Sequence, residues 1–126
     1  MSERLDFYKC SLCGTIIQVF HRGDGELVCC GKPMEYLQPH KIEEEKREKH
    51  VPVKIDNIIQ VGSEPHPMIA EHHIEFIETI SEDKKELNVK FLEVNNNPEM
   101  LISEHIAPKI AVEYCNLHGL WENKEL

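Results

Sequence analysis

The stretch Ile110-Ala111-Val112-Glu113-Tyr114-Cys115-Asn116-Leu117-His118-Gly119-Leu120-Trp121 lies close to the C-terminus of the 126-residue chain. Its β-branched and apolar start predicts a strand that ends near Cys115, and Leu120-Trp121 indicates the start of another strand. The strand end therefore carries a thiol and, three residues later, the imidazole of His118. A single Cys-x-x-His pair is weak evidence for a metal site, so its meaning depends on whether other histidines reach the same point.

The composition predicts a soluble globular protein, with 40% hydrophobic and 29% charged residues. A formal net charge of −9 argues against nucleic acid as the main partner. No apolar run approaches the ~20 residues of a membrane span, and the charged N-terminus shows no secretory signal. These features predict a cytoplasmic protein, in which the five cysteines bind metal more readily than they form disulfides.

A small N-terminal unit over residues 5–36 contains four of the cysteines and very little apolar mass. Chains below ~40 residues usually need a metal, disulfides or a partner subunit, so the cysteines are expected to hold this unit together. Cys10-x-x-Cys13 and Cys29-Cys30 suit a tetrahedral iron or zinc site. The first pair, with Gly14 in its loop, has rubredoxin or zinc-ribbon spacing, whereas the adjacent second pair requires a sharp bend and predicts a distorted tetrahedron. Spacing does not distinguish iron from a structural zinc.

A run of seven charged residues, Glu43 to Lys49, indicates a solvated linker between two domains. Beyond it, the pattern predicts about seven short strands and no helix of useful length. Turn signals at regular intervals favour an antiparallel β-sandwich of immunoglobulin type. The predicted organisation is all-β, with a metal-bound domain at 1–37, a linker at 38–49 and the sandwich at 50–126.

Two local patterns in the second domain make sharper predictions. Asp56-Asn57 lies between two apolar runs and predicts a two-residue hairpin turn. The segment 72–80 alternates, which predicts that Ile74 and Phe76 share one face of a strand and Glu75 the other.

Eight histidines in one chain of this length is a high count and also favours metal binding. Five of them lie at predicted strand ends or loops of the second domain: His50, His66, His72, His73 and His118. His72 and His73 are consecutive in a predicted strand, so only one of them can face a shared site. The other three lie among polar or charged neighbours and are interpreted as surface histidines: His21, His40 and His105.

Four imidazoles and the thiol of Cys115 exceed the four ligands of a closed zinc site. Five ligands with one open position suit iron instead. A single thiolate donates electron density toward whatever binds opposite it. This donor set is typical of a site that activates or reduces a small oxygen species.

The motifs of the whole chain resemble those of desulfoferrodoxin, the two-iron form of the superoxide reductase family. Residues 8–14 and 26–31 resemble its desulforedoxin-like domain, which carries an iron with four cysteine ligands. Residues 48–52, 66–68 and 113–119 resemble the motifs of its catalytic domain. The resemblance implies two mononuclear iron centres per chain.

The resemblance also implies the ligands of both irons. It assigns the first iron to Cys10, Cys13, Cys29 and Cys30. It assigns the catalytic iron to four equatorial histidines and one axial cysteine, namely His50, His66, His72, His118 and Cys115. The family spacing from the His-Pro-Met histidine falls on His72 rather than His73.

Two charged residues beside His50 acquire roles through the same resemblance. Glu48 is similar to the carboxylate that occupies the sixth position of the resting ferric iron. Lys49 is similar to the cation that attracts superoxide and helps to deliver protons. From composition alone, both would be interpreted as part of a solvated charge run.

The activity implied by the resemblance is one-electron reduction of superoxide to hydrogen peroxide, with re-reduction by a rubredoxin-like donor. The family also implies a homodimer. Two other classes stay open from the residues alone: superoxide dismutation, which needs no donor, and a non-enzymatic electron carrier or metal-binding module.

Overall fold

The structure, a computed structural model, describes residues 3–40, 51–62, 66–102 and 107–126. Within these ranges the chain forms β-strands and no helix, which confirms the all-β prediction. No helix in the described part of the chain is therefore long and apolar enough to cross a membrane. Two compact units divide between Gln38 and Pro39.

The N-terminal unit contains a three-stranded antiparallel sheet and a separate short hairpin. Its strands are β1 (Phe7–Lys9), β2 (Ile16–Gln18), β3 (Val28–Cys29), β4 (Lys32–Pro33) and β5 (Glu35–Tyr36). The sheet has the order β2-β1-β5, and β3 pairs with β4. Cys10 directly follows β1 and Cys29 ends β3, so both cysteine pairs lie at strand ends.

Few apolar side chains are buried in this unit. Phe7, Cys10 and Val19 expose less than a tenth of their surface, whereas Leu12 and Phe20 expose 62% and 72%. Three buried side chains contribute only a few kcal/mol of apolar burial, while ordering ~35 residues costs tens of kcal/mol of conformational entropy. An apolar core therefore does not account for the fold of this unit, which supports the role expected for its cysteines.

The described residues of the second unit form seven strands, in line with the roughly seven that the sequence pattern indicates. They are β6 (Pro52–Ile55), β7 (Ile58–Val61), β8 (Ile74–Ser81), β9 (Leu87–Phe91), β10 (Glu99–Leu101), β11 (Pro108–Cys115) and β12 (Gly119–Asn123). One sheet has the order β10-β7-β6 and the other β12-β11-β8-β9, and every described strand pair is antiparallel.

The core of the second unit lies between its two sheets. Ile59 and Val61 of β7 belong to one buried cluster with Ile77 of β8 and Ala111 of β11, and all four are fully buried. Cys115, at the end of β11, is part of the same cluster. The predicted β-sandwich is thus confirmed, and it brings a thiol to the edge of its own core.

A β-bulge interrupts the pairing of β8 with β11. Tyr114 pairs with Phe76 but Cys115 pairs with Ile74, so Glu75 is an extra residue on β8. The strict alternation expected here therefore fails. Ile74 belongs to the core cluster, whereas Phe76 stacks on Tyr114 with ring centroids 6.0 Å apart.

The Asp56-Asn57 hairpin forms as predicted. Ile55 pairs with Ile58, so the loop contains two residues, and Asp56 adopts the left-handed φ of 54° that such turns require.

The second unit begins before residue 50, where the sequence pattern put its boundary. The backbone N–H of His40 donates to the carbonyl of Leu120 at 2.8 Å, and that of Glu122 donates to the carbonyl of His40 at 3.0 Å. His40, the third residue of the predicted linker, thus pairs with β12. Residues 41–49 of that linker lie outside the described ranges.

Candidate metal centres

The four cysteines of the N-terminal unit converge on one point. The Sγ atoms of Cys10, Cys13, Cys29 and Cys30 lie within 4.8 Å of one another, and all are free thiols. The Sγ atoms of Cys13 and Cys29 are 3.5 Å apart, and those of Cys29 and Cys30 are 4.0 Å apart. Sulfur atoms ~2.3 Å from a tetrahedral ion lie about 3.8 Å from one another, so the group has the size of a four-thiolate site.

The backbone of each cysteine pair bends as the spacing predicts. Gly14 takes a left-handed φ of 83° and donates its N–H to the carbonyl of Cys10 at 3.0 Å. The N–H of Cys13 points at the Sγ of Cys10, 3.5 Å away. In the second pair, Cys30 itself is left-handed, with a φ of 52°. This sharp bend lets adjacent side chains face the same point, which an extended strand does not allow.

The thiols of this group differ widely in acidity. Hydrogen bonds from Thr15, its hydroxyl first, lower the pKa of Cys13 to about 6. Hydrogen bonding to Cys13 and Cys10 raises the pKa of Cys29 to about 12. One thiolate thus suppresses ionisation of its neighbours, and four thiolates require a cation. Metal binding at this group accordingly releases protons and weakens as the pH falls.

A second group of donor atoms forms at one end of the β-sandwich. His66, His72, Cys115 and His118 each offer one ligand atom, and these atoms lie within 4.8 Å of one another. The Sγ of Cys115 is 3.6 Å from Nε2 of His66 and 3.8 Å from Nδ1 of His118. The ring of His72 lies edge-on to both other imidazoles, with centroids 4.5 Å and 4.9 Å away. The structure thus brings four of the five predicted ligands together.

The turn between β11 and β12 places two of these ligands. Cys115 pairs with Gly119, so only three residues form the loop, and Gly119 has a left-handed φ of 83°. The indole N–H of Trp121 donates to the carbonyl of His118 at 3.2 Å. This tight loop explains why a thiol and an imidazole three residues apart face the same site.

The choice between His72 and His73 follows from the loop before β8. The ring of His73 donates from Nδ1 to the carbonyl of Ile69 at 3.0 Å, away from the group. His72 lies in the group itself. The two neighbours thus point in different directions, as consecutive extended residues do.

His50, Glu48 and Lys49 lie outside the described residues, so their roles stay predictions. Among the histidines interpreted as surface residues, His40 differs from that expectation. Its ring is half-buried and lies 4.7 Å from the Trp121 ring. His21 is exposed, as expected.

Two neighbours of Cys115, Glu113 and Asn116, were not predicted from the sequence to belong to the site. Glu113 is fully buried, and neither carboxyl oxygen has a hydrogen-bond partner among the described residues. Desolvation raises its pKa well above the usual value, which favours the neutral acid. Asn116 forms hydrogen bonds to the loop before β8. For Glu113, the sequence signal was a carboxyl side chain inside an otherwise apolar strand. For Asn116, no feature of the sequence indicates its hydrogen bonds.

Comparison with known proteins agrees with this geometry. The family model described as "Desulfoferrodoxin, N-terminal domain" matches residues 2–37, and the model described as "Desulfoferrodoxin" matches residues 41–124. The chain belongs to the desulfoferrodoxin family. The desulfoferrodoxin of Syntrophotalea carbinolica is 45% identical over 128 residues, covering 98% of this chain and 99% of the relative. That of Desulfarculus baarsii is 42% identical over 126 residues, covering 97% and 98%.

Among solved structures, the superoxide reductase from Treponema pallidum superposes with a TM-score of 0.72 at 24% identity. The superposition covers 98% of this chain and 100% of that one, so the two proteins share their fold.

The donor sets of this desulfoferrodoxin-family chain fit two iron centres, in agreement with the predicted cofactor. The first set offers four thiols at distances suited to one tetrahedral ion. The second offers three imidazoles and one thiol, whose ligand atoms all lie within 4.8 Å of one another. Imidazole is a good ligand for ferrous iron, and a lone thiolate tunes its reactivity.

Proposed function

We propose that this chain is a superoxide reductase, which reduces superoxide to hydrogen peroxide in a one-electron reaction. The observation that carries the proposal is the convergence of three imidazoles on the fully buried thiol of Cys115. With His50 added, the set becomes four imidazoles and one thiolate, which exceeds the needs of a closed zinc site. Resemblance of the motifs to the two-iron superoxide reductase family supports the same activity.

Ferrous iron bound by this group would supply the electron, and two protons from solvent would complete hydrogen peroxide, leaving ferric iron. The protein's own contribution is to hold the donors. Nδ1 of His66 donates to the carbonyl of Pro67 at 2.8 Å, so Nε2 is left to face the Sγ of Cys115. Hydrogen bonds of this kind fix both the tautomer and the orientation of a ligand histidine.

The thiol of Cys115 is placed for use as an anionic donor. Burial raises its pKa, while backbone amides of Leu117 and His118 lower it by hydrogen bonding to the sulfur. In the absence of a cation, desolvation dominates and favours the thiol. A cation at the group favours the thiolate, which the two amides then stabilise.

Attraction of superoxide is assigned to Lys49 and closure of the resting site to Glu48. The net charge of −9 repels an anion, so long-range attraction cannot come from the whole protein. Screening limits surface fields to ~10 Å at ordinary salt, so a local cation decides the approach. Lys49 adjoins His50 and supplies that charge in this proposal.

Turnover consumes one electron per superoxide, so the proposal includes an external donor such as a rubredoxin-like protein. It also includes a homodimer in the cytoplasm. The exposed Leu12 and Phe20 support a homodimer, because a unit with so few buried side chains gains stability from a partner surface.

The activity is tested by counting products. The iron-loaded full-length chain is reduced under anaerobic conditions and mixed with a known amount of superoxide. We expect one hydrogen peroxide per superoxide consumed and no dioxygen. Evolution of dioxygen would replace the proposal with dismutation, and no consumption above the spontaneous rate would leave a metal-binding module.

The Lys49→Ala variant is expected to react more slowly with superoxide while keeping its iron. One positive charge ~4 Å from the anion is worth about 1 kcal/mol even at the dielectric constant of water, which corresponds to a factor of about five. The bimolecular rate constant and its dependence on ionic strength are measured by rapid mixing, and the dependence should become flatter.

The matched control for this prediction is Lys85→Ala. It removes the same charge from the turn at the other end of β8 from His72. The control should react at nearly the wild-type rate. If both variants are slowed equally, net charge rather than Lys49 governs the encounter.

A further inference from the structure

The second group of donor atoms, here called the His/Cys group, consists of His66, His72, Cys115 and His118. It is assembled from chain segments that are far apart in sequence. Cys115 and His118 share one tight loop, but His72 lies in the loop that precedes β8. Specific contacts must fix the relative position of these two loops, because a shift of about an ångström would displace a ligand from its metal.

Regular strand pairing does not extend to this point. The ladder between β8 and β11 is interrupted by the bulge and ends with the pair Ile74 and Cys115. His72 and His73 lie just beyond it. The loops that carry the ligands therefore need contacts other than the sheet.

Asn116 supplies three such contacts. Its backbone N–H donates to the carbonyl of His73 at 3.1 Å. Its side-chain Oδ1 accepts the backbone N–H of His73 at 2.9 Å, and its Nδ2 donates to the carbonyl of Glu71 at 3.1 Å. All three bonds join Asn116, one of the two residues between Cys115 and His118, to the residues that flank His72.

The segment held by Asn116 is itself closed. The backbone N–H groups of Ile69 and His72 each donate to the other's carbonyl, at 3.0 Å and 3.1 Å. The His73 ring adds its bond to the Ile69 carbonyl. Residues 69–72 thus form a tight turn, and anchoring the chain at Glu71 and His73 positions His72 between the anchors.

We propose that Asn116 is a positioning residue for the catalytic metal centre, where it fixes His72 against Cys115 and His118. Asn116 itself contributes no ligand to the group. This inference rests on the proposed function only in naming the centre catalytic, since the positioning is a matter of metal binding.

The test compares Asn116→Ala with Ser81→Ala in the full-length chain. Ser81 is a matched control because its side chain also makes two hydrogen bonds: its Oγ donates to Oδ1 of Asp83 at 2.7 Å and accepts the N–H of Glu86 at 3.1 Å. Ser81 lies at the opposite end of β8 from His72. Both variants therefore lose side-chain hydrogen bonds within the same unit, but only Asn116→Ala loses bonds between the ligand loops.

The first measurement is the competition of a ferrous chelator for iron, with the two centres distinguished by their ferric spectra. Changes in residues that orient metal ligands typically lower affinity by about 10–100-fold, and we expect this loss at the His/Cys group of Asn116→Ala. The four-cysteine centre should keep its affinity, and Ser81→Ala should keep the affinity of both centres.

The second measurement is amide hydrogen exchange in the metal-free chain. The N–H of His73 loses its acceptor in Asn116→Ala and should exchange at least about tenfold faster. If Asn116→Ala does not fold, Asn116→Ser carries the same comparison with a smaller loss of volume.

Unchanged iron affinity in a folded Asn116 variant would overturn the proposal. An equal loss in Ser81→Ala would also overturn it, because the effect would then report general stability. Neither readout uses superoxide. A protein that fails to reduce superoxide yet loses iron on Asn116→Ala would refute the proposed function and leave the positioning role intact.

Discussion

Replacing Cys115 with serine is expected to abolish superoxide reduction together with the thiolate-to-iron charge-transfer absorption of the second centre, while the absorption of the four-cysteine centre remains. Serine is nearly the same size, but its hydroxyl does not ionise at neutral pH and is a harder ligand than a thiolate. Changes in residues around a metal site already cost ~10–100-fold, so loss of this donor should cost at least about 100-fold. Rapid mixing with superoxide and visible absorption of the oxidised protein measure the two effects.

The fold should survive this change. The serine hydroxyl would be fully buried, which costs about 1–3 kcal/mol if it has no partner. Ring nitrogens of His66 and His118 lie close to the present sulfur, at 3.6 Å and 3.8 Å, and offer partners. Circular dichroism should therefore match the wild type. Activity that persists in a Cys115→Ser variant with the wild-type fold would mean that the axial assignment is wrong.

Replacing Cys13 with serine is expected to have the opposite consequence. It should eliminate the iron bound by the four-cysteine group and unfold the N-terminal unit, while superoxide consumption by pre-reduced protein persists. A structural metal contributes on the order of 10 kcal/mol to small domains, and the few buried side chains of this unit do not replace it. The second unit has its own core cluster and is compact by itself.

Hydrogen exchange followed separately in the two units measures this prediction, with metal content and superoxide consumption measured alongside. Ser11→Ala is the matched control, because Ser11 lies in the same cysteine loop without being one of the four ligands. The control should keep both irons. If superoxide consumption disappears with the first iron, that centre takes part in the reaction and the two-unit interpretation is wrong.

Much of the fold follows from local pattern, because strands and turns depend on neighbouring residues. The Asp56-Asn57 turn forms where its dipeptide predicts it. The cysteine spacing predicted both backbone bends, at Gly14 and at Cys30, since two nearby thiols can meet at one ion only through such bends.

Predictions from local sequence pattern are wrong where pairing between distant segments determines which way a side chain points. Alternation put Ile74 and Phe76 on one face, but the bulge at Glu75 separates them. No residue type in β8 predicts the bulge, because the bulge arises from the pairing register between β8 and β11. His40 was interpreted as a surface histidine for the same reason, since its contact with Trp121 depends on the packing of a segment 81 positions earlier in the chain.

The sequence by itself determined the strands, the two sets of candidate ligands and the resemblance to an iron-binding family, because spacing and residue type are local properties. Only the tertiary structure decided that the thiol of Cys115 is fully buried beside three imidazoles, that His73 turns away, and that Asn116 joins the two ligand loops. These facts depend on how β8 and β11 pair at their irregular end. The hydrogen bonds of Asn116 join segments that are more than 40 residues apart. No local motif or residue spacing predicts such bonds.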